Sequence, residues 1–98
     1  MNDPSRTVVI TGAAGHIGRA YALKASMMAS CILIDRDTDP LEAVMASLNT
    51  DAGQSHRIMH CDLIDSAARK SLVDQLTRDE RRIDVLVNNA AFTGSTDL

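Results

Sequence analysis

Aromatic side chains are almost missing from this 98-residue chain: Tyr21 and Phe92 are the only two, and there is no tryptophan. Single-stranded nucleic acids need such planar platforms for stacking. The balance of 10 basic against 13 acidic residues, net −3, also supplies no basic run for a phosphate backbone. Nucleic acid is therefore not expected as a partner. No stretch approaches the ~20 apolar residues of a membrane helix, and the start, MNDPSRTVVI, lacks the charged-then-apolar build of a secretory signal. No membrane association is expected. The two cysteines, Cys31 and Cys61, stand in apolar runs without CxxC spacing. They read as reduced core thiols, which sets a cytoplasmic expectation. Repeats, low-complexity tracts and linkers are absent. The 45% hydrophobic and 23% charged residues suit one small globular domain spanning 1–98.

Within that domain, apolar runs alternate with helical patterns. Arg6–Thr11 is β-branched without polar alternation, as in a strand buried on both faces. From His16 to about Met28, residues Ile17, Tyr21, Ala25 and Met28 fall on one helical stripe and predict a buried face. Cys31–Ile34 forms a second strand ending at Asp35. Asp39 suits an N-cap and Pro40 a first helical position, ahead of Leu41, Val44, Met45 and Leu48 at amphipathic spacing. Asn49–Ser55, with Gly53, reads as a turn, and Arg57–Cys61 as a half-polar edge strand. Asp65 caps a third helix with the stripe Ala68, Leu72, Val73 and Leu76, and the charged run Arg78–Arg82 reads as its solvated end. Ile83–Asn88 is a fourth strand.

The order βαβαβαβ predicts an α/β parallel sheet with right-handed crossovers and strand order 3-2-1-4. A ligand crevice is expected between strands 1 and 4, where the winding reverses, and candidate ligand residues at the C-terminal strand ends.

The strand-to-helix junction VVITGAAGHIG, Val8 to Gly18, carries three glycines at 12, 15 and 18. A helix N-terminus leaves unpaired N–H groups and about half a positive charge, so a pyrophosphate docks there where no Cβ blocks it. Gly12 turns the chain, Gly15 admits the phosphates, and Gly18 lets helix and sheet pack closely. His16, inside the loop, is expected to contribute its backbone N–H, a side-chain contact with phosphate being the alternative. Asp35, 23 residues after Gly12, ends strand 2, where a carboxylate accepts from both hydroxyls of an adenosine ribose. It would also repel a 2′-phosphate and so favours NAD over NADP, although Arg36 beside it pulls the other way. Asp62, ending strand 3, either accepts from an adenine amino group or caps the turn before Asp65. Asn88 and Asn89 close strand 4; their amides can stitch strand ends together while the backbone faces a ligand, or simply mark a turn.

Other groupings are expected to be structural. His56, His60, Cys61 and Asp62 look like metal ligands, but strand residues four apart lie ~13 Å apart. Tyr21 and Lys24 are three apart on the first helix, with Tyr21 expected in the core. Five methionines read as core filler.

Taken together, TGAAGHIG after strand 1, Asp35 after strand 2, CDL (Cys61–Leu63) after strand 3 and VDQLTRDERRIDVLVNNAAF (Val73–Phe92) resemble the short-chain dehydrogenase/reductase family over essentially the whole chain. The closing NNAAFTGSTDL is similar to a subgroup associated with carbohydrate-modifying gene clusters. The resemblance implies a Rossmann fold that binds NAD(P) and, in complete members, hydride transfer between nicotinamide and an alcohol/ketone pair. By position, Gly12, Ala14, Gly15, His16 and Ile17 would line the pyrophosphate and Asp35 the adenosine ribose. Asp62 and Leu63 would contact adenine, and Asn89 and Ala90 the nicotinamide-side ribose.

The chain departs from the family pattern TGxxxGxG in its glycine spacing: it has TGxxGxxG, the spacing usual in sugar-nucleotide epimerases and dehydratases. Ala91 replaces the last glycine of NNAG, and Met28 stands where many members end the first helix with glycine. The family's catalytic Ser and Tyr-x-x-x-Lys lie well after the asparagine motif, and no Tyr-x-x-x-Lys occurs in these residues. The expectation is therefore a Rossmann-like sheet truncated before its second half: an N-terminal oxidoreductase fragment without its own catalysis, small-molecule substrate being handled only in a complete protein. Its fourth strand would be an open edge, inviting self-association. The alternatives are a non-catalytic dinucleotide-binding module and a parent acting as nucleotide-sugar epimerase or dehydratase.

Overall fold

The computed structural model describes residues 6–79 and 82–89. The elements follow as β1 (Thr7–Thr11), α1 (His16–Ala25), β2 (Ser30–Asp35), α2 (Thr38–Ala46), β3 (Arg57–His60), α3 (Ser66–Arg78) and β4 (Val85–Asn88). The four strands form one parallel sheet in the order β3-β2-β1-β4, as the sequence predicts. Its centre is apolar because β1 and β2 carry unbroken aliphatic runs: Ile10, Ile32, Leu33 and Ile34 are essentially sealed from solvent. Alternate strand residues feed two cores, as the period of a strand requires. Val8, Ile10, Cys31 and Leu33 pack with Ala22 of α1 and with Leu41 and Val44 of α2. Val9, Ile32, Ile34 and Met59 pack on the other face with Leu72 of α3.

Helix α1 corrects two expectations. It ends at Ala25, three residues earlier than predicted, because Ser26 turns into the core, where its Oγ donates to the Leu23 carbonyl at 2.9 Å. Met27 and Met28 then close tight turns onto the Lys24 and Ala25 carbonyls. The buried face is also not the apolar stripe. Ile17, Tyr21 and Met28 are at least half exposed, and the helix instead buries Gly18 and Ala22, followed by Ser26 at its C-cap. The cause is steric: α1 starts so close to the loop after β1 that a Cβ on Gly18 would lie 2.2 Å from the Gly12 oxygen. Only small residues fit at that approach.

The remaining elements differ from the sequence reading in detail. The N-cap of α2 is Asp37, leaving Asp39 and Pro40 inside the first turn. Proline is tolerated there because first-turn N–H groups lack intrahelical acceptors. Asp65 caps α3 as predicted, accepting from the Ala67 and Ala68 amides at 2.9 and 3.4 Å. Leu72 is buried on α3, while Val73 points to solvent. The charged run is less free than predicted, since Asp79 pairs with Arg57 of β3 and Arg82 with Asp84 at 2.7 Å.

Segment 49–56 is more than a turn. Buried Gln54 donates to the Ser26 carbonyl at 2.6 Å, and Ser26 Oγ accepts from the Asn49 amide at 3.1 Å. His56 Nδ1 accepts from the Cys31 amide at 3.0 Å, so its Nε2 donates to the Asn49 carbonyl at 2.7 Å. These bonds fasten the N-terminal end of β2. At the same end of β4, Asp84 accepts from the Thr7 amide at 2.9 Å. That bond and Arg82 together hold its carboxyl below the usual carboxylate range.

Among the described residues β4 is an outer strand of the sheet, and the side chains of Val85 and Leu86 are half or more exposed. Among the described residues no helix is long and apolar enough to cross a membrane. Both cysteines are buried free thiols.

Candidate functional site

Strand register brings the predicted residues to one margin. Thr11 stands beside Ile34 on one side and Asn88 on the other, and Asp35 beside His60, so all four strands end together. The first connection leaves β1 through Gly12, whose φ of 66° lies in the left-handed region glycine tolerates. The loop then folds on itself, Gly15 N–H donating to the Gly12 carbonyl at 3.1 Å.

Gly15 becomes the N-cap of α1, with no side chain capping it and no acidic residue in the first turn. The first helical bond runs from Arg19 N–H to the Gly15 carbonyl, so the amides of His16, Ile17 and Gly18 have no acceptor among the described residues. A Cβ on Gly15 would meet only the Gly12 oxygen, at 3.5 Å, which leaves the approach to these donors open. Positive potential and free donors therefore coincide at this point. His16 and Ile17 both have exposed side chains.

Asp35 reaches back to this loop. One carboxylate oxygen accepts from the Ala14 amide at 2.9 Å and the other from the Arg36 amide at 2.7 Å. The Ala14 N–H is thus spent within the chain. Ala13 is tied likewise, donating to the Ile34 carbonyl at 3.2 Å.

Across the margin, β4 is laced to β1 by the asparagine pair. Thr11 Oγ1 donates to Asn88 Oδ1 at 3.1 Å and accepts from the Asn89 amide at 3.0 Å, while Asn89 Nδ2 donates to the Gly12 carbonyl at 3.4 Å. The stitching read from the sequence is present. The Thr11 hydroxyl at its centre was missed, although a polar residue ending an apolar strand is a usable signal. Ala90 lies outside the described residues.

Asp62 also sits at this margin, in a turn: its Oδ1 accepts from Ile64 N–H at 3.1 Å, and its carbonyl from Asp65 N–H at 3.0 Å. Leu63 leans on the core beneath α3, and its carbonyl accepts from Arg69 at 2.6 Å. Among the described residues no group of three His, Cys, Asp or Glu could hold a metal. A depression lined by Lys24, Met27, Met28, Asn49, Asp51 and Ala52 lies where α1 ends, at the opposite margin of the sheet.

Known proteins share this sequence pattern and fold. The family described as short chain dehydrogenase matches residues 6–98. The chain is 36% identical over 99 residues to the short chain dehydrogenase/reductase dpmpG of Macrophomina phaseolina, covering 98% of this chain and 55% of that protein. It is 36% identical to the D-threitol dehydrogenase of Mycolicibacterium smegmatis, covering 87% of this chain and 33% of that one. Among solved structures, a metagenomic short-chain oxidoreductase in complex with NADP superposes with a TM-score of 0.80 at 36% identity, over 90% of this chain and 40% of that one. NAD+-bound xylitol dehydrogenase gives 0.79 at 35%, over 92% and 35%. The chain thus spans from about a quarter to about half of the length of the curated relatives it matches. With the sheet order, the glycine junction and the family match in agreement, the chain belongs to the short-chain dehydrogenase family and has its Rossmann-like fold.

Proposed function

We propose that this chain supplies the dinucleotide-binding part of a short-chain oxidoreductase, with NAD preferred over NADP. The carrying observation is the convergence, on one sheet margin, of an uncapped helix N-terminus, the Asp35 carboxylate and the Thr11–Asn88–Asn89 lacing. The residues fit such a ligand. Free donors at His16 and Ile17 suit a pyrophosphate, and the open side of Gly15 gives it room. In this reading Gly12, Ala14, Gly15, His16 and Ile17 line the pyrophosphate, and Asp35 accepts from the adenosine ribose. Asp62 and Leu63 border adenine, and Asn89 and Ala90 the ribose on the nicotinamide side. The preference for NAD rests on Asp35, whose ionised carboxylate repels a 2′-phosphate at the same place; exposed Arg36 offsets part of that repulsion.

When bound, the nicotinamide ring supplies hydride transfer against an alcohol/ketone pair. The chain's own residues bind and orient it, and none of the 98 forms the Tyr-x-x-x-Lys pair that general acid–base catalysis in this family uses. We therefore assign proton transfer and substrate choice to residues beyond these. The exposed Val85 and Leu86 fit the same view, as an edge that such residues, or a second copy of the isolated chain, would cover.

The TGxxGxxG spacing is the one observation favouring a nucleotide-sugar epimerase or dehydratase as parent. The relatives named above are dehydrogenases and reductases, which weighs against it. A non-catalytic dinucleotide-binding module is separated from an oxidoreductase portion by calorimetry. Titration of the 98-residue chain with NAD, NADP and ADP-ribose should give binding weaker than micromolar, strongest for NAD, and no cofactor-dependent alcohol oxidation. Micromolar affinity without turnover would favour the module. Turnover by the purified 98 residues would overturn the proposed division of labour.

A further inference from the structure

We infer that Asp35 is a positioning residue for the phosphate-facing loop, acting through the Ala14 amide, in addition to any contact with a ribose. The inference rests on the dinucleotide reading and deepens it. Two successive loop amides are tied to the end of β2: Ala13 N–H to the Ile34 carbonyl at 3.2 Å, and Ala14 N–H to the Asp35 carboxylate at 2.9 Å. The first tie is backbone to backbone and does not involve the Asp35 side chain. The second exists only through the Asp35 side chain, which the Arg36 amide fixes from the other oxygen at 2.7 Å.

Immediately beyond Ala14 the chain closes the Gly15-to-Gly12 turn and enters α1, where the donors of His16 and Ile17 remain free. The direction of those donors depends on where the loop leaves Ala14. Asp35 therefore acts on the pyrophosphate position in two opposing ways. Its charge repels an anion, while its hydrogen bond holds the loop in the form that receives one. A ligand that binds only one loop conformation loses apparent affinity in proportion to the fraction of molecules not in that form. Holding the loop in advance removes that cost.

The two effects separate with a probe that carries no ribose. Inorganic pyrophosphate is titrated into the 98-residue chain and its Asp35→Ala and Asp35→Asn variants, alongside NAD, with the amide exchange of Ala14 followed by NMR. In the wild type, the Ala14 amide should exchange slowly without ligand. Asp35→Ala should lose that protection and bind pyrophosphate about three- to ten-fold more weakly, even though a negative charge has gone. Asp35→Asn keeps an oxygen acceptor for Ala14 and lacks the charge, so it should bind pyrophosphate at least as well as the wild type. Pyrophosphate binding by Asp35→Ala equal to or tighter than wild type, with NAD still bound by the wild type, overturns this inference alone. So does a fast-exchanging Ala14 amide in the wild type, or an Asp35→Asn variant as weak as Asp35→Ala. Absence of NAD binding to the wild type overturns the dinucleotide reading and this inference with it.

Discussion

Gly18 packs onto Gly12 so closely that a methyl group on Gly18 would fall 2.2 Å from the Gly12 oxygen and 2.8 Å from its carbonyl carbon. Both neighbours are backbone, so neither can swing away. Gly18→Ala should therefore cost ~1–3 kcal/mol, the range for overpacking a tight site, and lower the thermal midpoint. Gly15→Ala is the matched control. Its Cβ meets only the Gly12 oxygen at an ordinary 3.5 Å, and Gly15 has φ −80°, which alanine accepts. Its stability should stay close to wild type while NAD affinity falls, because the new methyl stands at the approach to the free donors.

Thr11 predicts a different loss. Its hydroxyl gives one hydrogen bond to Asn88 and receives one from Asn89, joining β1 to the edge strand β4. Thr11→Val keeps the shape and removes both, which should cost ~1–3 kcal/mol in urea denaturation. The amide of Asn89 should also gain exchange rate in the variant.

Acid should weaken the other end of the same strand pair. The Thr7 amide, and after it Arg82, hold the Asp84 carboxyl below its ordinary range. The folded state thus binds that proton less readily than the unfolded chain. The stabilisation is fully present above the ordinary carboxylate pKa, near ~4, and is lost as pH falls through the lowered value. Asp84→Asn should be less stable than wild type at neutral pH, with the gap closing in acid. A gap in melting temperature that stays constant from neutral pH to about pH 3 would contradict this.

The thiols should be silent in the native protein. Burial pushes Cys31 up to about 11, and burial with the Asp62 and Asp65 carboxylates raises Cys61. Thiolate is the reactive form. A disulfide reagent at neutral pH should therefore label both cysteines only as fast as the chain unfolds, and labelling should accelerate with urea.

How far the sequence discloses this molecule depends on the range of the interactions involved. Strand order and the shared margin of Gly12, Asp35, Asp62 and Asn88 are legible because aliphatic runs, turn residues and crossover handedness are local or generic. The face of α1 is not legible. Ile17, Tyr21 and Met28 spell an apolar stripe, yet the close approach at Gly12 selects Gly18, Ala22 and Ser26 for burial. Gln54 likewise looks like a turn residue until its bond to Ser26, remote in sequence, buries it, and the part of His56 is seen only in its bond to Cys31 of β2. In the candidate site, the types and places of the residues are readable. The Asp35–Ala14 bond and the Thr11 hydroxyl bridge arise only from the folded register.

The central claim is that the margin formed by the glycine loop, Asp35 and Asn89 receives a nicotinamide dinucleotide. Amide chemical-shift mapping of the 98-residue chain during titration with NAD tests it most directly. Saturable shifts should concentrate at Gly15, His16, Ile17, Asp35 and Asn89, weaker with NADP, with none around Met27, Met28 and Asp51 at the far margin. Shifts confined to the far margin, or none at the loop at millimolar NAD, would contradict it.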